Sequence, residues 1–325
     1  MLDVFFYEAF EEEAEMLRRL LPPGLQAGFT PRTIQEEGHA EPPARIVSIR
    51  TQSDVPADWA PRIAALLART TGYDHVRAYR AKAGRPVAAG HLPKYCARAV
   101  AEQAMLLWMA LLRRLPAQVR QFERFDRDGL TGRECEQKTL LVVGVGNIGW
   151  EAVRIGRGLG MTVLGIDVVR RHAEVDYVAP EDGLAQADVI VCSMNLTPVN
   201  RGYFAYDRLK GVKKGAVLVN VARGEMSPAA DLLRALDEGL LAGVALDVYD
   251  NENALAVALR AGGPVRDAAG LALLELRGRP NVILTPHNAF NTVESVERKA
   301  EQTILQVRNF LDKGEFLWPV PEGSG

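Results

Sequence analysis

The sequence predicts an α/β protein built on parallel sheets. Three observations carry that prediction: two separate sets of strand-like apolar runs, a helical stretch dividing them, and a length suited to two cores. At about 150 residues per domain, 325 residues predict roughly two domains. The first set of runs comprises Leu2 to Phe6, Leu25 to Phe29, Ile46 to Ile49, Leu66 to Thr70 and Val87 to Ala89, separated by Glu/Arg-rich or Pro-bearing stretches. These read as the strands of a smaller α/β unit. The second set is LLVV at 140 to 143, MTVLGI at 161 to 166, DVIVC at 188 to 192, AVLVN at 216 to 220, GVALDV at 243 to 248 and NVILT at 281 to 285. Strands this uniformly apolar predict a sheet covered on both faces. Between the sets, apolar residues recur at 97, 100, 101, 104, 108, 111, 112 and 115. That helical period predicts a crossover helix from Ala97 to about Leu115. Another helix is predicted from Thr292 to about Lys313, closing at Lys313-Gly314 and returning to the first unit. The last residues, PEGSG, read as a frayed tail.

Composition narrows the function classes. With 48% hydrophobic and 25% charged residues the chain is a folded globular protein, neither disordered nor collagen-like. A net charge of −2 offers no electrostatic grip on nucleic acid or an anionic membrane. No apolar run reaches the roughly 20 residues that span a bilayer. The amino terminus, MLDVFFYEAFEEEAEMLRRL, has no basic segment ahead of its apolar stretch, so no signal peptide is expected. Cys96, Cys135 and Cys192 form no pair at metal-ligand spacing, and their odd number fits a reducing compartment, so the cytoplasm is expected. His39, His75, His91 and His172 show no spacing suited to zinc, and no metal is expected. Cys192 ends a predicted strand without a histidine partner and reads as packing.

The strongest local motif is Gly144-Val145-Gly146-Asn147-Ile148-Gly149, placed directly after LLVV and opening a helix predicted to run to about Leu159. Strand, glycine loop and helix in that order build a dinucleotide site. Gly144 permits the tight turn, Gly146 admits a pyrophosphate to the backbone, and Gly149 brings helix close to strand. Asp167 ends the next strand, 18 residues past Gly149, where an acid meets the adenosine ribose hydroxyls. A carboxylate there repels a 2′-phosphate and so favours NAD over NADP, although Arg170 and Arg171 stand close enough to meet such a phosphate. Polar residues beyond the carboxyl ends of the remaining strands supply candidate chemistry. Arg223 follows AVLVN, Asp247 lies inside GVALDV, Glu252 stands just beyond it, and His287 follows NVILTP. A histidine, a carboxylate and an arginine in those places form an acid/base and anion-binding set.

These motifs together resemble the D-isomer-specific 2-hydroxyacid dehydrogenases: RTTGYDHV, RPVAAGHLPKY, ARAVAEQ, GVGNIG, NVARGE, ALDVYDNE and TPHNAF occur in that family's order. The resemblance spans nearly the whole chain and is nearest to the D-lactate dehydrogenase-like branch. It implies two Rossmann-like/flavodoxin-like domains, with an NAD-binding domain at 98 to 288 inserted into a substrate domain split between 1 to 97 and 289 to 325. Closure of the two domains over an interdomain cleft is implied as well. By the same resemblance Arg223 binds the substrate carboxylate, Glu252 pairs with His287, Asp247 contacts the nicotinamide carboxamide, and Val221 and Ala222 border the cofactor. Gly72 and Tyr73 offer backbone amides to the substrate carboxylate, while Tyr95 and Phe290 line the substrate pocket. A homodimer is also implied, with the helix from Ala97 contributing.

Elementary chemistry supports these roles. A guanidinium presents a planar, permanently charged fork to a carboxylate, and an imidazole can give a proton to a developing alkoxide. The expected activity is NAD-dependent interconversion of a small 2-oxo acid and its D-2-hydroxy acid. Alternatives are a hydroxypyruvate or glyoxylate reductase, another relative in the family, or a non-enzymatic NADH-sensing binding protein. The chain departs from the family pattern at Cys96 and Ala97 in place of Ser-Pro, at Gln103 in place of histidine and at Asn253 in place of a frequent proline. The Ala/Leu-rich stretch reaching Arg279 is also longer than in many relatives.

Overall fold

The computed structural model of the protein describes residues 2–322; residues 323–325 of the PEGSG tail lie outside the described residues, as does Met1. The described residues divide into two compact units, one within Met1–Cys96 and Asn291–Gly325 and the other Ala97–Phe290.

The first unit is built on β1 (Leu2–Phe6), β2 (Ala27–Phe29), β3 (Ala44–Ile49), β4 (Ala65–Ala68) and β5 (Ala88–Gly90), with helices α1 (Glu11–Leu20), α2 (Ile34–Glu37) and α3 (Asp74–Ala83). All pairings are parallel, in the order β2-β1-β3-β4-β5. Consecutive strand residues point to opposite faces, so Ile46 packs with Val4, Phe6 and Leu67 on one side, while Val47 joins Leu66, Trp59 and Val76 on the other. The central strands β3 and β4 thus bury both faces over most of their length, which is why their residues read as apolar runs.

The second unit carries α4 (Ala97–Leu112), α5 (Leu115–Gln121), β6 (Thr139–Val143), α6 (Asn147–Gly158), β7 (Thr162–Ile166), β8 (Asp176–Tyr177), α7 (Pro180–Gln186), β9 (Val189–Cys192), α8 (Tyr206–Leu209), β10 (Ala216–Asn220), α9 (Ala229–Asp237), β11 (Leu241–Leu246), α10 (Glu252–Arg260), α11 (Ala268–Arg277) and β12 (Val282–Leu284). Its seven parallel strands run in the order β12-β11-β10-β9-β6-β7-β8, so the winding reverses between β6 and β9. Beyond the carboxyl ends of strands at such a reversal a crevice opens for ligand. The chain returns to the first unit as α12 (Val293–Lys313), whose Ala300, Ile304, Val307 and Phe310 pack with Val4, Phe6 and Leu17. The Thr292 hydroxyl caps this helix by accepting the Ser295 N–H, and Gly314 ends it at φ 76°.

Some expected boundaries move. The helix predicted to reach Leu115 stops at Leu112, because Arg114 takes the left-handed conformation at φ 54° and a separate helix starts at Leu115. Strand β8 went unpredicted: its two residues, Asp176 and Tyr177, are polar or aromatic and owe their strand geometry to pairing with Leu164 and Gly165. Asp247, expected inside a strand, lies one residue past β11. The Ala/Leu-rich stretch before Arg279 forms α10 and α11. No described helix is long and apolar enough to cross a membrane.

Candidate active site

The glycine loop between β6 and α6 has the shape its spacing predicts. Gly144 stands at φ 94°, and a Cβ there would fall 2.6 Å from the Met194 backbone nitrogen; at Gly149 it would fall 2.0 Å from the Gly144 carbonyl oxygen. Only glycine fits either place. At Gly146, by contrast, the Cβ position has no atom within 4 Å, so the backbone is open where α6 begins, with Asn147 exposed and Ile148 half-buried beside it. Asp167, past β7, accepts the Val145 N–H on Oδ2 at 2.7 Å and the Val169 N–H on Oδ1 at 2.9 Å. The acid expected to meet a ribose therefore also fastens the glycine loop. Ser193, past β9, donates its hydroxyl to the Gly144 carbonyl at 2.7 Å; its only sequence signal is its place directly after an apolar strand. An open backbone, the positive end of a 12-residue helix and a carboxylate past the second strand fit a dinucleotide.

The residues expected to react, Arg223, Glu252 and His287, lie beyond β10, β11 and β12. Asn220, fully buried at the end of β10, accepts the Ala222 N–H and donates to the Arg223 carbonyl and the Ser227 hydroxyl. This buried amide, which the sequence reading passed over, shapes the turn that carries Arg223. Val221 and Ala222 are each 7% exposed, Val221 donating its N–H to the Cys192 carbonyl. The Arg223 guanidinium is half-buried and donates to the Ala222 carbonyl at 2.8 Å. A Cβ at Gly224 would overlap the Tyr249 backbone at 1.8 Å, so glycine lets the two strand-end loops touch.

His287 and Glu252, 35 residues apart in sequence, meet in space. The imidazole Nδ1 lies 2.8 and 2.9 Å from the two Glu252 carboxylate oxygens. Their side chains are 20% and 16% exposed, a pair screened from bulk water yet reachable. Glu252 is the first residue of α10, where the left-handed Asn251 turns the chain, and His287 is itself left-handed at φ 50°. A β-carbon makes that conformation costly, by about 1–2 kcal/mol.

Asp247 offsets that cost. Its carboxylate, 1% exposed, accepts the Thr285 hydroxyl at 2.6 Å, the Asn288 N–H at 2.9 Å and the Ala289 N–H at 2.8 Å. It thus clamps the loop on both sides of His287. Burial pushes the Asp247 carboxyl up, against the pull of these donors. Tyr249 adds a second clasp, its hydroxyl 2.6 Å from the Thr285 carbonyl and 3.1 Å from that of Leu246. Phe290, three residues past His287, is 6% exposed.

In the first unit, Gly72 and Tyr73 follow β4. The Thr70 hydroxyl donates to the Gly72 carbonyl at 2.7 Å, and the Tyr73 ring meets His91 edge-on at 4.8 Å. Tyr95 is 5% exposed, and its carbonyl accepts the Arg298 Nε–H at 2.9 Å.

Comparison with known proteins places this arrangement. The model of the D-isomer specific 2-hydroxyacid dehydrogenase NAD binding domain matches residues 104–289. The D-lactate dehydrogenase of Lactiplantibacillus plantarum is 32% identical over 254 residues, covering 76% of this chain and 75% of that protein. The 2-hydroxyacid dehydrogenase A of Aspergillus oryzae is 34% identical over 281 residues, covering 82% and 78%. The crystal structure of D-lactate dehydrogenase from Aquifex aeolicus, complexed with NAD and lactic acid, superposes with a TM-score of 0.83 at 27% identity, covering 97% of this chain and 99% of that one. The chain therefore belongs to the D-isomer specific 2-hydroxyacid dehydrogenase family, in its D-lactate dehydrogenase-like branch, and is an NAD-dependent oxidoreductase interconverting 2-oxo acids and D-2-hydroxy acids.

Proposed function

We propose that His287 is the proton donor, Glu252 its orienting partner and Arg223 the group that holds the substrate carboxylate. The observation that carries this reading is the pair at 2.8 and 2.9 Å between His287 Nδ1 and Glu252. That contact leaves Nε2 as the ring nitrogen to serve the substrate. When bound, the nicotinamide supplies the hydride. As charge grows on the substrate carbonyl oxygen, protonated His287 delivers its proton and Glu252 steadies the imidazolium before transfer. Arg223 fixes the 2-oxo acid through its planar fork.

In the same reading Gly144, Gly146, Asn147, Ile148 and Gly149 cradle the pyrophosphate, Asp167 meets the ribose and Val221 and Ala222 border the cofactor. Residues 98 to 288 are then the NAD-binding domain, and 1 to 97 with 289 to 325 the substrate domain, where Gly72, Tyr73 and Tyr95 meet the substrate. Phe290, just past the NAD-binding domain, lines the pocket as well. For Asp247 the family role at the nicotinamide is joined by the clamp on His287. The exposed apolar side chains of Val119, Phe122 and Phe125 on and after α5 support a homodimer, tested by light scattering on the eluting protein. The free cysteines Cys96, Cys135 and Cys192 fit a cytoplasmic enzyme.

The deciding experiment follows loss of NADH absorbance, with NADPH in parallel, against pyruvate, glyoxylate, hydroxypyruvate, 2-oxoisocaproate and phenylpyruvate, and then assigns the product's configuration. Turnover with NADH and a D product is expected. Silence across a broad panel, with NADH still bound, would replace this reading with that of an NADH-sensing protein.

A further inference from the structure

In the first unit the fully buried cations share a carboxylate. Arg69 Nε and the Lys299 ammonium meet Glu13 Oε1 at 2.8 and 2.7 Å, all three residues being 0% exposed and Lys299 standing 5.9 Å from the Tyr95 ring. Burial pushes Glu13 up, yet Arg69, Lys299 and Arg50 outweigh it and hold it at about 2. In the second unit two arginines, Arg114 and Arg133, border a cavity of about 570 Å³, and none of the described residues lining it is acidic.

An excursion of the chain between α4 and β6 makes this cavity. Arg114, left-handed at φ 54°, ends the path of α4 and turns the chain into α5. The chain comes back where the Arg133 N–H donates to the Leu112 carbonyl at 2.8 Å, so close that a Cβ at Gly132 would fall 2.7 Å from the same oxygen. The excursion faces the amino ends of β10, β11 and β12 across the cavity. Leu111, Leu112 and Val217, all buried, give it an apolar wall, and Ala242, the second residue of β11, lines it and is exposed. Small-molecule sites have this make-up, clefts of about 300–1,000 Å³ with apolar walls and a few polar groups.

The charged groups at the cavity are both cationic. Arg114 Nη1 donates to the Gly129 carbonyl, and Arg133 Nη2 to the Gly215 carbonyl at 2.9 Å. Both acceptors are neutral. The carboxylate near Arg133 is that of Asp188, which does not line the cavity and is bound by the Thr139 N–H at 3.0 Å and the Lys213 ammonium at 2.9 Å. Burial pushes Asp188 up, but the Thr139 N–H, Lys213 and Arg133 together hold it below the usual carboxylate range. Positive charge beside an apolar wall, with no acid in the lining, complements an anion that carries a hydrocarbon body. The cavity lies at the opposite end of β10, β11 and β12 from Arg223, Asp247 and His287. Val119, Phe122 and Phe125, the apolar side chains that support a homodimer, do not line it.

We propose that this cavity is a second ligand site, separate from the reacting groups, and that it takes a small aliphatic carboxylate. The carboxylate meets the planar forks of Arg114 and Arg133, and the hydrocarbon covers Leu111, Leu112 and Val217. A cationic amphiphile is rejected by the same two arginines.

The test titrates octanoate calorimetrically into the NADH-saturated enzyme. Octanoate should bind at one site per chain, and octylammonium, equal in length and opposite in charge, at least about tenfold more weakly. Arg114→Gln and Arg133→Gln should each weaken octanoate about tenfold, and Ala242→Phe, which fills the cavity, should abolish its binding. Arg223→Gln, altered at the other end of the sheet, should bind octanoate as wild type does. NADH binding is measured for each variant as the check on folding, and the two arginine variants carry the test if Ala242→Phe does not fold. No heat from millimolar octanoate, or equal binding of octanoate and octylammonium, overturns the inference. So does binding that is lost in Arg223→Gln and kept in both cavity arginine variants, which places the anion among the reacting groups. Each of these results leaves the catalytic reading standing.

Discussion

Two carboxylate–nitrogen contacts of nearly equal length stand in contrasting surroundings in this protein. In one unit Glu252 meets His287 Nδ1 at 2.8 Å, and in the other Glu13 meets Lys299 at 2.7 Å. The first pair is 16% and 20% exposed and rises from left-handed turns; the second is fully buried and sits on the regular helices α1 and α12. Length does not separate the two, and surroundings do. A partly exposed pair on clamped loops can exchange a proton with a substrate, whereas an enclosed pair holds its charges in place and projects a field.

The sharpest way to break this contrast is to remove the proton donor. His287→Gln should lower kcat for 2-oxo acid reduction by about 10³- to 10⁴-fold, while NADH titrated by fluorescence binds within roughly threefold of wild type. Activity within tenfold of wild type would move the proton donor elsewhere.

The enclosed pair should answer in stability. Glu13→Gln leaves Arg69 and Lys299 buried without their shared carboxylate, which should cost about 3–5 kcal/mol in urea unfolding. The pH dependence follows from the same residue. With Glu13 held at about 2, below its ordinary 4.5, the unfolded chain binds more protons between those values. Its stabilisation is therefore complete above pH 4.5 and lost as pH falls towards 2. Wild-type unfolding free energy should drop through that window more steeply than that of Glu13→Gln, and parallel slopes would assign acid lability to other groups.

Smaller effects sharpen the picture of the clamped loop. Asp247→Asn turns an amide NH₂ towards backbone N–H donors at Asn288 or Ala289 and should reduce kcat/KM roughly 100-fold, about 2.7 kcal/mol. Equal losses of activity and stability would make Asp247 a general structural residue instead. Tyr249→Phe removes the hydroxyl that joins Thr285 to Leu246 and should cost only about 1 kcal/mol of stability. A thermal melt indistinguishable from wild type would show that Asp247 suffices to hold the His287 loop.

Much of this architecture was legible along the chain. Apart from β8, the strands of both sheets fall within or beside the apolar runs, because parallel strands buried between helices need side chains such as those of LLVV and AVLVN. The glycine loop was legible at Gly144 and Gly149, where a Cβ would collide with backbone. Other features were not. Strand β8 is made by its neighbour's hydrogen bonds. Ser193 and the inward bonds of Asp247 act between loops that sequence does not bring together, and Asn220 bonds within its own turn, whose shape its residue type alone does not announce. Glu13 lies in the acidic run EEEAE and Lys299 in the charged segment ERKAE, both of which resemble solvated helix faces. Their burial against Arg69 follows from two helices distant in sequence packing on one sheet.

The order of residues alone determined the class of fold, the dinucleotide loop and the identity of the side chains that can react. Those depend on local backbone demands and on side-chain chemistry, which a short stretch of sequence carries in full. Folding decided which nitrogen of His287 is engaged, that Asp247 faces inward to hold a strained loop, and that Lys299 is buried beside Tyr95. Burial and hydrogen-bond partnership are set by what the rest of the chain places around a group, and no local spacing encodes that environment.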